Sequence, residues 1–120
     1  MRTIHNIKIG NNMIRVELAA TWWQRFRGLS GRESLNGADG MLFIFPWRAR
    51  WRMCMRGMKF PLDFIWMNDG KIVAIDRNIQ PGRAGAIRPP KRVNMVLEAR
   101  CGLFKNIMLM HLTPLGARHR

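Results

Sequence analysis

Apolar and polar residues alternate with a period of two along much of the chain, which is the pattern of strands that bury one face. The first alternating stretch covers residues 7–18 and is interrupted by Gly10 and two asparagines, which favour a tight turn. This stretch predicts a β-hairpin near the amino terminus, with Arg15 and Glu17 facing outward.

A second hairpin is predicted with residues 64–67 and 71–75 as its strands. Between them lies Asp69-Gly70, a pair that accepts the positive φ angles of a two-residue hairpin turn. Residues 93–99 alternate again and predict a further strand. Many short strands separated by turn residues predict a mainly β fold, a single-domain β-sandwich or barrel.

One short helix is predicted after the first hairpin. Thr21 can cap its amino terminus, and Gln24, three residues later, completes a capping box. Gly28 suits the position at which the helix ends. Helical spacing leaves Arg25 and Arg27 to solvent and places three large apolar residues on the face that we expect to pack against the sheet, namely Trp22, Phe26 and Leu29.

The middle of the chain contains two more strand patterns. Residues 41–45 are apolar at every position, which is typical of a strand covered on both faces, and Pro46 is expected to end it. Residues 50–56 alternate, and a strand there would project a row of guanidinium groups from one face, namely Arg50, Arg52 and Arg56. Residues 80–90 are rich in proline, glycine and arginine and predict an irregular loop.

The length of 120 residues is that of one domain, so we assign residues 1–120 to a single domain. Residues 107–112 are a last apolar run, and 113–120 are expected to be a flexible basic tail. No stretch reaches the roughly 18 apolar residues of a membrane-spanning helix, and the first residues lack the apolar run of a secretory signal. These observations predict a cytoplasmic protein without a membrane span.

Charge is the most unusual property of the composition. Lysine and arginine number 21 against seven acidic residues, which gives a formal net charge of +14. A field of this sign attracts polyanions. Sequence-independent nucleic-acid binding is therefore an alternative function, with Arg50, Arg52 and Arg56 as candidate phosphate contacts. An exposed Trp47 would favour it by offering a surface on which bases stack.

Sulfur-containing residues do not indicate a metal centre. Cys54 and Cys101 form no Cys-x-x-Cys pair, and the three histidines fall at no zinc-ligand spacing. The soft donors Met53, Cys54, Met55 and Met58 would suit Cu(I), but methionine at alternating positions is more often core filler. We therefore predict no metal and no cofactor.

Two acidic residues interrupt apolar strands and need a partner if they are buried, Asp63 and Glu98. Arg32, whose guanidinium can bind a carboxylate through two parallel hydrogen bonds, is the candidate partner. Such a cluster would either be a structural ion pair that pins the helix–loop segment to the sheet or form the polar mouth of an apolar cleft.

A binding module for a small apolar ligand or a peptide is the favoured function. Its candidate binding residues are Arg32, Met55, Met58, Asp63 and Glu98. Catalysis is an alternative, because Asp63 and Glu98 could form a carboxylate pair for acid–base chemistry. Cys54 and His111 could likewise be a nucleophile and its base, although no third group is evident to orient them. We assign no catalytic residue.

Four motifs in a fixed order resemble those of a known family. They are RGLSGRESL at 27–35, GMLFIF at 40–45, MRGMKFPLD at 55–63, and VLE at 96–98 followed by Gly102. Over about residues 14–112 the chain resembles the small bacterial and archaeal family called domain of unknown function 192. The resemblance implies a compact, mainly β fold of jelly-roll type with a short helix after the second strand. It implies no established reaction, substrate or cofactor.

The chain departs from the family pattern at two places. Met53-Cys54 stands where family members usually carry Phe-Trp, and the smaller thiol would open a pocket beside Met55. Met110-His111 stands where relatives often carry Gly-Asp, which puts the last predicted strand in question.

Overall fold

The computed structural model describes residues 3–104, apart from the side chain of Trp23. In chain order its elements are β1 (Ile4–Ile9), β2 (Asn12–Ala19), α1 (Trp22–Arg27), β3 (Gly40–Ala49), β4 (Leu62–Asn68), β5 (Lys71–Ile79) and β6 (Val93–Ala99). The predicted apolar run 107–112 and the predicted tail 113–120 lie outside the described residues. Within residues 3–104, no helix is long and apolar enough to cross a membrane.

One sheet contains all six strands, in the spatial order β1-β2-β3-β6-β4-β5. β2 and β3 pair in parallel, whereas the other neighbours pair antiparallel. Parallel pairing needs a long connection that returns the chain to the same end of the sheet, and α1 with residues 28–39 supplies it. The sheet curls into a half-barrel, and the predicted mainly β fold with one short helix is confirmed.

Both predicted hairpins are confirmed. β1 and β2 pair from Ile4↔Glu17 to Ile9↔Asn12. β4 and β5 are joined through Asp69 and Gly70, whose φ angles are 51° and 83°. Positive φ at both central positions matches the right-handed twist of the flanking strands, so this turn sets the register of the second hairpin.

Apolar side chains cover both faces of the sheet. One cluster includes Phe43 and Trp66, and it is completed by Leu29 from the segment after α1. The other cluster includes Leu42 and Leu97 on the opposite face. Because neighbouring β3 residues contribute to different clusters, the prediction of a strand covered on both faces is confirmed.

One predicted strand boundary and one predicted strand are wrong. β3 continues through Pro46 to Ala49, and its register with β6 shifts between Ile44 and Ala49. Proline has no N–H to donate, so it is tolerated where the regular ladder is interrupted. Residues 50–56 form no strand, because their only pairing in the described chain is an isolated bridge between Met53 and Ile87.

The capping box of the helix is confirmed. Leu29 is buried and Arg27 is exposed, as predicted, but the positions predicted for Trp22, Phe26 and Arg25 are wrong. Trp22 and Phe26 are 69% and 71% exposed, and their rings stack on each other with centroids 5.6 Å apart. Arg25, expected in solvent, instead donates to the backbone oxygen of Ile44 at 3.1 Å and lies over the Phe45 ring. In a six-residue helix these contacts of a single arginine outweigh the apolar spacing.

Asp63 is buried and accepts hydrogen bonds from two backbone amides. Its Oδ1 accepts from the N–H of Asn78 at 2.7 Å, and its Oδ2 accepts from the N–H of Gly102 at 2.9 Å. Arg77 adds a cation 3.7 Å away. The carboxylate therefore joins the end of β5 to the turn that follows β6, which is a structural role.

We predict that Gly40→Ala destabilises the protein by about 1–3 kcal/mol, because overpacking against backbone cannot relax. A Cβ at Gly40 would lie 2.4 Å from the carbonyl oxygen of Glu98 on β6. Gly82→Ala is the matched control, since a Cβ there meets nothing within 4 Å. Denaturant unfolding measures both, and equal midpoints for the two variants would contradict the close approach.

We predict that Asp63→Ala lowers the free energy of unfolding by about 2–4 kcal/mol, because two backbone amides and a cation lose the buried carboxylate that accepts from them. Glu33→Ala is the control and should cost less than about 1 kcal/mol, since this exposed acid forms a surface ion pair with Lys59. Urea titration of both variants tests the difference, and an Asp63→Ala midpoint equal to that of the control would exclude the structural role.

Candidate functional site

Two buried carboxyl groups lie on the same row of the sheet. In the strand register Glu17 of β2 is opposite Met41 of β3, and Met41 is opposite Glu98 of β6. Side chains that are opposite one another across a sheet project from the same face. Both acids are 4% exposed, so the prediction that Glu17 faces outward is wrong.

Arg32 neutralises the first of these acids. Its Nη1 and Nη2 donate to the two carboxylate oxygens of Glu17 at 2.7 and 2.8 Å, a bidentate ion pair. The expectation that Arg32 is the partner of Asp63 or Glu98 is therefore wrong. The ion pair still pins the helix–loop segment to the sheet, through a different acid from those expected.

Residues 28–32, which we call the strap, also bind the loop at 55–58. The N–H of Gly31 donates to the carbonyl oxygen of Gly57 at 2.8 Å, and the Ser30 hydroxyl donates to that of Arg56 at 3.2 Å. Two family-like motifs, at 27–35 and 55–63, thus meet through backbone contacts. Together they form walls above the row that contains Glu98.

Glu98 has no such partner. Within residues 3–104 its carboxyl group forms no hydrogen bond and no ion pair, although the residue is 4% exposed. Burial in low-dielectric surroundings raises its pKa from the ordinary 4.5 to about 8. At neutral pH the group is mainly the uncharged acid, which can donate one hydrogen bond and accept another.

The Glu98 side chain lines an open cleft of about 620 Å³ between the strap and the loop at 50–58. This volume falls within the range of small-molecule sites in proteins. Its lining combines apolar and cationic side chains around the acid, in full Arg25, Phe26, Arg27, Gly28, Leu29, Ser30, Phe43, Arg52, Met53, Cys54, Arg56, Met58 and Glu98. We refer to it as the Glu98 cleft.

Positive charge surrounds the mouth of the cleft. Arg27, Arg52 and Arg56 are exposed, and in the described part of the chain none of them contacts a carboxylate. Arg25 differs, because its guanidinium is held by the backbone oxygens of Ala20 and Ile44. Three guanidinium groups are therefore available to an anionic group that enters the cleft.

Several residues expected at a binding site have separate places in the structure. Met58 and Glu98 line the cleft together, whereas Met55 is fully buried in the core. Asp63 projects from the opposite face, because it is aligned with Ala99 rather than with Glu98. Opposite faces also rule out the predicted carboxylate pair of Asp63 and Glu98.

The predicted row of arginines is only partly realised. Arg52 and Arg56 both line the cleft, but Arg50 donates to the carbonyl oxygen of Pro89 at 2.8 Å. Since residues 50–56 form no strand, the regular spacing expected for the row is wrong. Trp47 is 64% exposed, which meets the condition set for the nucleic-acid alternative.

Cys54 is exposed and lines the cleft beside Met53, where the sequence departs from the family pattern. His111, its predicted base, lies outside the described residues. No group of three or more His, Cys, Asp and Glu side chains that could hold a metal ion occurs within residues 3–104. The cleft therefore offers hydrogen bonding, charge and apolar surface.

Phe26 and Arg27 are among the cleft residues that the sequence does not predict. The helical spacing of Phe26 from Trp22 and Leu29 is that of a buried face, which predicts a place in the core. Nothing in the sequence distinguishes the two orientations of so short a helix. Arg27 begins the RGLSGRESL motif, so its place in a motif was the one available signal.

Comparison with known proteins gives a family and two similar structures. The family model of domain of unknown function 192, described as "uncharacterized ACR", matches residues 5–111. No curated protein matches the chain.

The first similar structure is the crystal structure of a "putative transcription regulator" from Sinorhizobium meliloti 1021. It is 30% identical, with a TM-score of 0.74 over 89% of this chain and 85% of the other. The second is a protein of unknown function from Novosphingobium aromaticivorans DSM 12444. It is 27% identical, with a TM-score of 0.73 over 82% of this chain and 71% of the other. With nearly its whole length matched by the family model, the chain belongs to the domain of unknown function 192 family.

Proposed function

We propose that the protein is a non-catalytic binding module whose Glu98 cleft holds a small ligand or the end of a peptide. The observation that carries the proposal is the Glu98 carboxyl group, 4% exposed and without a partner in the described residues. A buried polar group without a hydrogen bond costs about 1–3 kcal/mol. A ligand that offers a donor and an acceptor would recover this free energy on binding.

The side chains around Glu98 indicate which chemical groups the ligand should carry. Phe26, Met53 and Met58 supply apolar contact area, and methionine adapts readily to the shape of what it contacts. Arg52 and Arg56 favour an anionic group at the mouth. The proposed ligand therefore has an apolar body, one acidic group and a neutral hydrogen-bonding group.

Binding is preferred to catalysis because of what the cleft residues contact. Among the described residues, the Cys54 thiol has no hydrogen-bonded base, and the Ser30 hydroxyl donates to a backbone oxygen. A nucleophile in an active site is normally activated by an adjacent base or a lowered pKa. The arrangement thus favours recognition of a ligand over reaction with it.

We predict that anilinonaphthalene sulfonate, which has an apolar body and one anionic group, binds in this cleft. Cys54→Trp should weaken binding by about tenfold or more, because the larger ring occupies the cleft. Cys54→Ser, which preserves side-chain size, should bind like the unmodified protein. Fluorescence titration measures all three, with circular dichroism to confirm folding. Equal affinities for the Trp and Ser variants would contradict the proposal.

We predict that Glu98→Gln alters the dependence of stability on pH. The folded-state pKa, about 8, lies above the ordinary 4.5, so between these values the folded protein holds a proton that the unfolded chain releases. Stability of the unmodified protein should therefore fall as pH rises through this range, by up to about 5 kcal/mol.

Glutamine has no charge to bury, so the variant should lose less stability over the same range. Denaturant midpoints near pH 5 and pH 9 give the comparison for both proteins. If the midpoints of the two proteins change equally between pH 5 and pH 9, the Glu98 carboxyl is solvated or paired. It would then not form the floor of a ligand cleft.

A further inference from the structure

We infer that the ligand of the Glu98 cleft is one unpaired base of a single-stranded nucleic acid, whose backbone follows arginines on either side of the cleft. The inference rests on the proposed function and names the class of ligand. It is supported by the length of the groove, the charges along it, an exposed aromatic pair and the hydrogen-bonding capacity of Glu98.

Two further clefts adjoin the Glu98 cleft, and we refer to the three together as the groove. It shares Arg27, Gly28 and Ser30 with a cleft of about 620 Å³ on the far side of the strap. It shares a second set of lining residues with a cleft of about 540 Å³ that reaches the loop at 83–86, namely Arg52, Met53, Cys54 and Arg56. Three adjoining clefts suit an extended chain better than a single small molecule.

Cations follow this groove along its length. Arg83 lines one end, Arg52 and Arg56 lie between the middle and that end, and Arg27 lies at the strap. Within residues 3–104 none of the four contacts a carboxylate. A chain with one negative charge per repeating unit complements such a track, and the formal net charge of +14 adds long-range attraction.

Exposed aromatic rings beside the groove favour nucleic acid over other polyanions. Phe26 lines the middle cleft, and its ring is nearly parallel to that of Trp22, with 6° between the planes. Flat exposed rings next to arginines are the usual platform on which unpaired bases stack. A run of acidic residues such as polyglutamate has no aromatic face to match them, and a membrane surface cannot enter a cleft.

The Glu98 carboxyl group favours a single strand over a duplex. As an acid within a cleft it can donate and accept side by side, which complements the paired donor and acceptor on the edge of a base. In a duplex that edge is already used by the opposite strand. A base that enters the cleft must therefore be unpaired, as in single-strand recognition generally.

The test is fluorescence anisotropy with a labelled single strand of roughly 12 nucleotides, a length within known single-strand site sizes. The competitors are the duplex of the same sequence, a polyglutamate peptide of equal charge, and phosphatidylserine vesicles. We expect the single strand to bind at least about tenfold more tightly than each competitor at about 200 mM salt, where non-specific attraction is weak. Equal or tighter binding of any competitor would overturn the inference.

Charge variants distinguish binding by the groove arginines from general attraction by the net positive charge of the protein. Arg52→Ala with Arg56→Ala removes two groove cations, and Arg88→Ala with Arg92→Ala removes the same charge from exposed positions outside the three clefts. We expect the groove pair to weaken single-strand binding about tenfold and to reduce the salt dependence by about two phosphate contacts. Equal losses for the two pairs would overturn the inference.

Aromatic and acid variants test the base itself. Phe26→Ala should weaken binding about fivefold or more, the loss expected for one stacked base. Met13→Ala, an equally exposed apolar residue outside the groove, should not. Glu98→Leu should weaken binding, and Glu98→Gln, which still donates and accepts, should preserve it. Unchanged affinity in Phe26→Ala and Glu98→Leu would overturn the inference.

These outcomes distinguish the inference from the proposed function. If the oligonucleotides do not bind as expected while the affinity for the sulfonate dye still depends on residue 54, the inference is wrong and the proposed function stands. If the affinity for the dye is also the same in the Trp and Ser variants of residue 54, both the inference and the proposed function are wrong.

Discussion

Two buried acids share one row of the sheet, and within residues 3–104 only one of them has a cation. Glu17 is neutralised by the bidentate contact with Arg32, which holds the strap against the sheet. Glu98, two strands away, has no partner among the described residues. Burying an acid without a partner is unfavourable for folding. The structure tolerates this at the base of an open cleft, where a ligand can complete the hydrogen bonding.

The ion pair and the cleft depend on each other. The strap is held at one end by Arg32 and Gly31 and in its middle by the contact of Ser30 with Arg56. These contacts position Gly28 and Ser30 between two clefts. A strap released from Glu17 would take the Arg32 guanidinium away from that buried acid and would remove one wall of the Glu98 cleft. Stability and binding therefore share a single set of contacts.

Local patterns predicted the fold well because they depend on neighbouring residues. The Asp69-Gly70 turn and the Thr21–Gln24 capping box are complete within a few positions, and both are confirmed. Which acids and arginines come together depends instead on the register of the sheet, which neighbouring residues do not determine. Asp63 and Glu98 each follow apolar residues in sequence, yet the register aligns Asp63 with Ala99 and places the acids on opposite faces. The alternating pattern predicts that Glu17 is exposed, whereas in the structure β3 and the strap cover it.

The central claim is that Glu98 is a buried acid without a partner within residues 3–104, held ready for a ligand. Its most direct test is the carbon-13 chemical shift of the Glu98 side-chain carboxyl, followed by NMR across the pH range and assigned by comparison with Glu98→Gln. The account predicts a titration midpoint near pH 8 in the free protein, which moves when the labelled single strand is bound. A midpoint near the ordinary value of 4.5, unaffected by any ligand, would contradict it.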